Sequence, residues 1–466
     1  MSRTIQDVFA PDGLLATSIP GYRLRPQQLE MAERIAAAIA DNSVLVAEAG
    51  TGTGKTYAYL VPALLSGGKV IVSTGTKNLQ DQLFSKDIPT VRKVLGAPVQ
   101  VALLKGRANY LCHYHLERAL DDGRFVARED AAHAARIARF AKSTKTGDKA
   151  DCGDVPENST VWGMVTSTRE NCLGQDCPYN KECFVLAARR EALAADLVVV
   201  NHHLFFADVM LRDEGTAELL PACNTVIFDE AHQLPDVASL FFGDNVSTAQ
   251  VLDLVRDART EGIASARDCL DLPKLCGVVE KAAKDLRLTL PVEPARFSLA
   301  QLEERMGFEN GLVGLIRELE LFAALLETQA QRSEGLENCW RRAGEQLAQL
   351  RRWQKGADRD YVRWGETYTH SLQLNATPLV IAKIMQKQMS GHPRAWIFTS
   401  ATLAVQRDFG HYCAEMGLDQ ADSAFWDSPF DYEQQALLYA PTSLPDPNNY
   451  AYTEAVVKAA FPVLEA

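Results

Sequence analysis

Glu48-Ala-Gly-Thr-Gly-Thr-Gly-Lys-Thr56 is the stretch whose reading decides the fold. It follows a short apolar run, 44–47, and opens onto a helical pattern, 58–65. A turn of small residues between strand and helix lets successive backbone N–H groups wrap a phosphate, and the helix N-terminus adds positive potential. In that context Gly50, Thr51, Gly52, Thr53 and Gly54 form a cradle. Lys55 reaches the β- and γ-phosphates of a nucleotide, and the Thr56 hydroxyl holds Mg²⁺. Ala49 stands where the strict pattern has glycine, a tolerated change.

A partner motif lies downstream. Asp229-Glu-Ala-His232 follows the apolar run 225–228. An Asp-Glu pair after a strand is by itself a solvated strand end. Paired with a phosphate loop it completes an ATP site: Asp229 binds Mg²⁺, and Glu230 orients or deprotonates the attacking water. His232 is then placed to couple the nucleotide site to its neighbours.

Further apolar runs rich in β-branched residues, at 70–73, 99–104, 196–200 and 395–398, read as buried parallel strands. Helical patterns such as 27–40 separate some of them, which predicts a doubly wound α/β fold. The sheet is interrupted twice. The first insert runs from about Gly106 to Arg190 and is rich in cysteine; the second runs from about Asp244 to Thr369 and reads mostly as helix. Within the latter, 312–326 repeats apolar residues at three- and four-residue spacing. Asp360-Tyr-Val-Arg-Trp364 and Leu372-Gln-Leu374 are expected to form a hairpin feeding back into the sheet. A new unit is expected after Ser400-Ala-Thr-Leu403.

The bulk numbers bound the rest. A chain of 466 residues, 47% hydrophobic, suffices for two to four domains with cores. No uninterrupted apolar run is long enough to span a bilayer, and Met1-Ser-Arg-Thr-Ile-Gln-Asp7 lacks the apolar core of a signal peptide. A cytoplasmic protein is expected, with no membrane partner, so the ten cysteines are not read as disulfides. The net charge of −12 argues against blanket coating of nucleic acid but leaves room for a local basic groove.

Cys172, Cys177 and Cys183 fall within twelve positions of a polar segment, and Cys112 lies upstream. Four thiolates hold either a [4Fe–4S] cluster or a tetrahedral zinc. Zinc sites favour tighter pairs, so the spacing leans toward iron, with zinc left open. Cys152 is a fifth candidate. His113 and His115 flank Cys112 and are expected to be surface groups on one helix, although they remain alternative ligands. His202 follows a strand and is expected to make a strand-end hydrogen bond. The cysteines at 223, 269, 276, 339 and 413 stand in apolar contexts and are expected to fill cores.

In order, these motifs resemble the iron–sulfur superfamily 2 DNA helicases of the XPD/DinG type, with the bacterial YoaA branch the nearest likeness. The resemblance rests on Arg25-Pro-Gln-Gln28, the phosphate loop, Ser73-Thr-Gly-Thr-Lys-Asn-Leu-Gln-Asp-Gln-Leu83, Leu104-Lys-Gly-Arg-Ala-Asn-Tyr-Leu-Cys112, the cysteine cluster, Val200-Asn-His-His-Leu204, Asp229-Glu-Ala-His232 and Thr399-Ser-Ala-Thr-Leu403. It implies a RecA-like motor domain in three parts, 1–105, 191–243 and 369–405. An iron–sulfur domain would occupy 106–190, a helical arch 244–368, and the incomplete start of a second motor domain 406–466. It implies that Gln28 reads adenine and that Cys112, Cys172, Cys177 and Cys183 ligate a [4Fe–4S] cluster. It also implies 5′–3′ movement on single-stranded DNA and unwinding of forked duplexes in repair or replication. Residues 73–82 and the loop around Arg107 and Tyr110 would lie along the strand, offering phosphate and stacking contacts.

Between Trp340 and Trp364 basic and aromatic residues alternate, among them Arg341, Arg342, Arg351, Arg352, Trp353, Lys355, Arg359, Tyr361 and Arg363. An electrostatic funnel and a solvated helix face followed by a strand explain that stretch equally well. No Gln-x-x-Gly-Arg-x-x-Arg motif, which closes the family's pattern, occurs in the 466 residues. The expectation is a fragment that binds nucleotide and DNA weakly and turns over little ATP. Alternatives are a non-hydrolysing DNA- or partner-binding fragment, a zinc-containing P-loop ATPase, and an iron–sulfur carrier.

Overall fold

The structure, a computed structural model, describes all residues except 1, 2, 124, 126, 214–218, 357–360, 379, 392, 448 and 466. Arg359 and Asp360 therefore lie outside the described residues. The strands are β1 Val44–Ala49, β2 Val70–Thr74, β3 Val101–Leu103, β4 Leu197–Asn201, β5 Thr225–Asp229, β6 Asp244–Ser247, β7 Ala295–Ser298, β8 Tyr361–Thr367, β9 Leu372–Pro378, β10 Ala395–Ser400 and β11 Asp422–Trp426. Seven of them form one parallel sheet in the order β11-β1-β10-β5-β2-β4-β3.

The central strands are buried on both faces, which is why they read as continuous apolar runs rather than alternating ones. One face sets Leu45, Ile227 and Ile397 against Met31, Ile35 and Tyr59 of the helices Pro26–Asp41 and Lys55–Leu65. The other sets Val46, Phe228 and Phe398 against Phe205, Phe206 and Met385. Phe228 stacks on Phe398 at a centroid distance of 5.0 Å and meets Phe205 edge-on at 4.8 Å. The six apolar runs read from the sequence are all strands of this sheet.

A second sheet is antiparallel, β6-β9-β8-β7. It packs with the helices Thr248–Ser265, Asp271–Leu288, Phe308–Gln329 and Glu334–Lys355 on a separate core that includes Leu254, Val279, Leu319, Phe322 and Leu350. The expected hairpin forms as β8–β9, but it does not return to the parallel sheet. β6 and β7 flank it instead, so the antiparallel unit extends to Pro378, past the expected boundary at 369. β11 went unread, because an edge strand beginning Asp422-Ser423 exposes those residues and shows no apolar run. It pairs with β1 from Leu45↔Asp422 to Ala49↔Trp426, so the parallel sheet reaches beyond the boundary expected at 406.

The basic and aromatic stretch of the second insert is mostly internal structure. Arg342 is buried on Asp257, Arg351 pairs with Glu320, Arg352 with Asp244 and Arg341 with Glu345. Trp353 is buried and donates its indole N–H to the Asn375 carbonyl at 3.0 Å. The funnel reading loses these residues to a helix face and a core. Among the described residues no helix is long and apolar enough to cross a membrane.

Replacing Phe228 by alanine removes a fully buried ring from the centre of the sheet, and such cavities cost about 3–5 kcal/mol. Urea unfolding of F228A is expected to show a loss of that order. A loss below about 1 kcal/mol would contradict this placement of the ring.

Candidate nucleotide site and cysteine cavity

Three adjacent parallel strands, β1, β10 and β5, end together at one edge of the sheet. Register sets Glu48 opposite Ser400 and Thr399 opposite Asp229. The carboxyl edge of such a sheet is where ligands bind in open α/β folds. The loop after β1 turns through Gly52 (φ +85°) and Gly54 (φ +84°) into the helix Lys55–Leu65. Thr53 folds inside the loop and donates its hydroxyl to the Gly50 carbonyl at 2.7 Å. Lys55 Nζ donates to the Ala49 carbonyl at 3.1 Å, which holds the ammonium over the loop. Thr56 follows on the first turn of that helix. Gln28 is buried on the first turn of Pro26–Asp41, donates to the Gly54 carbonyl at 2.9 Å, and would collide with any side chain at Gly54.

Asp229 is buried at the end of β5 and accepts the Tyr59 hydroxyl at 3.2 Å. Glu230 takes the left-handed backbone conformation (φ +57°) that ends the strand sharply. Its Oε2 lies 3.4 Å from Ser400 Oγ and 3.4 Å from His232 Nδ1, and Ser400 and His232 are 2.8 Å apart. So Lys55, Asp229, Glu230 and His232 are brought to one edge.

The structure adds three partners that the sequence reading passed over. Glu48 is buried at the end of β1, and its carboxylate accepts the backbone N–H groups of Leu403 and Ala404. Tyr59 holds Asp229, and Ser400 joins Glu230 to His232. Glu48 was findable, as an acid inside an otherwise apolar strand; Tyr59 and Ser400 depend on tertiary contacts. His202 makes the expected strand-end bond, Nδ1 to Ser73 Oγ at 2.8 Å, and burial pushes its ring down to about 3, so it stays neutral.

The expectation for Tyr110 fails. Its ring is buried and its hydroxyl accepts the Lys105 backbone N–H at 3.1 Å, so it does not offer a stacking face. Lys105 itself is buried between Asp81 and Asp148, each at 2.8 Å. Arg107 lies instead on the rim of the cavity that holds the cysteines.

That cavity, of about 770 Å³, is lined by Cys112, Cys172, Cys177 and Cys183 together. Cys112 stands at the N-cap position of the helix His113–Asp122, and Cys183 at that of Phe184–Ala194. Helix N-termini favour thiolate over thiol. Burial, with the neighbouring cysteines adding to it, instead pushes Cys112 up to about 12. A thiolate there needs a cationic partner, which is the chemistry of a metal-ligating set. Among the described residues no His, Cys, Asp or Glu group closes tightly enough to hold a single metal ion.

Cys152 does not line the cavity; it is buried with Leu111, Ile137, Trp162 and Val165. His113 and His115 do line it and are half-buried, which corrects their reading as surface groups: Cys112 turns the first turn of their helix inward. Cys276 and Cys339 fill the core of the helical insert, as expected.

Asp229 carries the most telling electrostatics. Burial first, and Glu230 next, push its carboxyl from an ordinary 3.8 up to about 6, against the pull of Lys55. The folded state therefore holds a proton that the unfolded chain has released. That stabilisation is fully present below pH 3.8 and is lost as pH rises through about 6. A shift of about two units corresponds to roughly 3 kcal/mol. D229N is expected to flatten the pH dependence of the urea midpoint between about pH 4 and 6.5. Parallel profiles for wild type and D229N would contradict it.

Comparison with known proteins comes to the same place. Residues 25–110 match the DEAD/DEAH box helicase family. The chain is 42% identical over 460 residues to the ATP-dependent DNA helicase YoaA of Escherichia coli, covering 99% of this chain and 72% of that protein. It is 40% identical over 463 residues to YoaA of Haemophilus influenzae, with the same coverage. The ATP-dependent helicase DinG of Mycobacterium tuberculosis is 35% identical over 246 residues, covering 48% of this chain and 36% of that protein. A solved chain described as truncated XPD is similar with a TM-score of 0.42 and 16% identity, covering 85% of this chain and 98% of that one. With an identity of 42% sustained over nearly its whole length, the protein belongs to the YoaA family of ATP-dependent DNA helicases.

Proposed function

We propose that the protein is an ATP-dependent DNA helicase that moves 5′–3′ on single-stranded and forked DNA in the cytoplasm. The observation that carries the reading is the convergence of Lys55, Asp229 and Glu230 on one sheet edge through β1, β10 and β5. Lys55 leaves the Ala49 carbonyl to neutralise the β- and γ-phosphates, which fill the glycine turn. Thr56 and Asp229 would hold Mg²⁺, whose charge would favour the ionised form of a carboxyl that burial and Glu230 push up. Glu230 orients the attacking water and takes its proton. Ser400 and His232 carry the state of Glu230 to β10. Gln28, anchored to the Gly54 carbonyl, has the amide needed to read adenine.

Thr76, Lys77, Asn78 and Gln82 are exposed beyond the carboxyl end of β2, and we assign them to the DNA backbone. We assign Cys112, Cys172, Cys177 and Cys183 to a [4Fe–4S] cluster. When bound, such a group would cross-link the four thiolates and tie the polar stretch from Cys172 to Cys183 to the helix that follows Cys112.

The test is a pair of variants measured in single turnover with Mg·ATP and single-stranded DNA. K55A is expected to lose nucleotide binding. E230Q is expected to bind as wild type while hydrolysis falls roughly 10²–10⁴-fold. Wild-type hydrolysis by E230Q, or undiminished binding by K55A, would overturn the assignment.

A further inference from the structure

The outer side of the phosphate loop is covered by the chain that leaves β11. The Trp426 carbonyl accepts the Gly50 N–H at 3.0 Å, extending the β1–β11 pairing into the loop. Ser428 Oγ donates to the Thr51 carbonyl at 2.7 Å, and the Thr51 hydroxyl meets the Tyr432 hydroxyl at 2.7 Å. The Tyr432 hydroxyl also donates to Ser428 Oγ at 3.0 Å, which closes a ring of three hydroxyls on one loop residue. The Phe430 ring lies against Gly52, where a Cβ would meet ring carbons. A Cβ at Gly50 would meet the Ser428 backbone N at 2.5 Å. Two glycines of the loop are thus required by the protein packed against them.

We infer that the segment from Asp427 to Tyr432 is a positioning strap of the nucleotide site, with Ser428, Phe430 and Tyr432 holding Thr51 and Gly52 in the shape that accepts phosphate. None of the three needs to touch the nucleotide; they act through the loop. The inference rests on the reading of this loop as an ATP site. The physical argument is preorganisation. A loop of small residues has many conformations to lose, and the part restricted before binding does not weaken affinity. The strap contributes two side-chain hydrogen bonds and one ring contact, and loss of either the hydroxyl pair or the ring is expected to weaken binding by about tenfold. Phe430 and Tyr432 are about half exposed, and their truncation leaves no cavity in the sheet core.

The test is titration of the whole chain with fluorescent ADP and a slowly hydrolysed ATP analogue in Mg²⁺, for wild type, F430A, F430L, the S428A/Y432F double variant and K55A. F430A and S428A/Y432F are expected to lose about tenfold in affinity at an unchanged melting temperature. F430L, which keeps an apolar cover on Gly52, is expected to recover most of the loss. Wild-type affinity in both F430A and S428A/Y432F, or tighter binding in either, overturns the strap while K55A upholds the site. A loss of affinity matched by a fall in melting temperature also overturns it, because the segment would then be structural only. A wild type that binds no nucleotide, or no more tightly than K55A, overturns the ATP-site reading and the strap with it.

Discussion

Parallel register between β1, β10 and β5 is the constraint on which the rest depends. Because Glu48 pairs with Ser400 and Thr399 with Asp229, three strands far apart in sequence deliver their ends at one level. The phosphate loop leaves from the first, the Ser-Ala-Thr turn from the second, and the acidic pair from the third. Glu48 fastens the arrangement across the edge by accepting the Leu403 and Ala404 N–H groups. A one-residue slip would turn Asp229 to the other face of the sheet and separate it from Lys55.

Around that edge the molecule balances costs. Burying Asp229 beside Glu230 disfavours its charge, against the pull of Lys55. The left-handed Glu230 holds an uncommon backbone conformation next to that buried acid, and such positions gather where a side chain must be aimed. The cysteine-bearing insert enters after β3 and returns at β4, and the helical insert occupies the interval between β5 and β10. The helical insert packs around a large core of its own, and the cysteine-bearing insert around a smaller one that includes Leu111, Ile137 and Trp162.

Much of this was legible in the residues. The six apolar runs became strands because strands buried on both faces leave no polar alternation to confuse the reading. The loop and the acidic pair were legible because their chemistry is local. What stayed hidden depends on partners remote in sequence. β11 is an exposed edge held by β1, and Tyr110 looks like a stacking residue until Lys105 and its own burial claim it. The arginines from 341 to 352 look like a basic face, yet each of the four pairs with a carboxylate, one of them its neighbour on the helix. The β8–β9 hairpin was foreseen and its sheet was not, because pairing choice lies in β6 and β7, short strands with little pattern of their own.

The central claim is that this ATP motor carries a metal cluster in the cavity of its first insert. The direct measurement is iron, acid-labile sulfide and zinc per chain after anaerobic purification, with a visible spectrum and C172S alongside. The account predicts about four irons and four sulfides in a brown protein, with the colour reduced or lost in C172S. One zinc per chain without sulfide would contradict it, as would a colourless, metal-free chain that anaerobic reconstitution does not load.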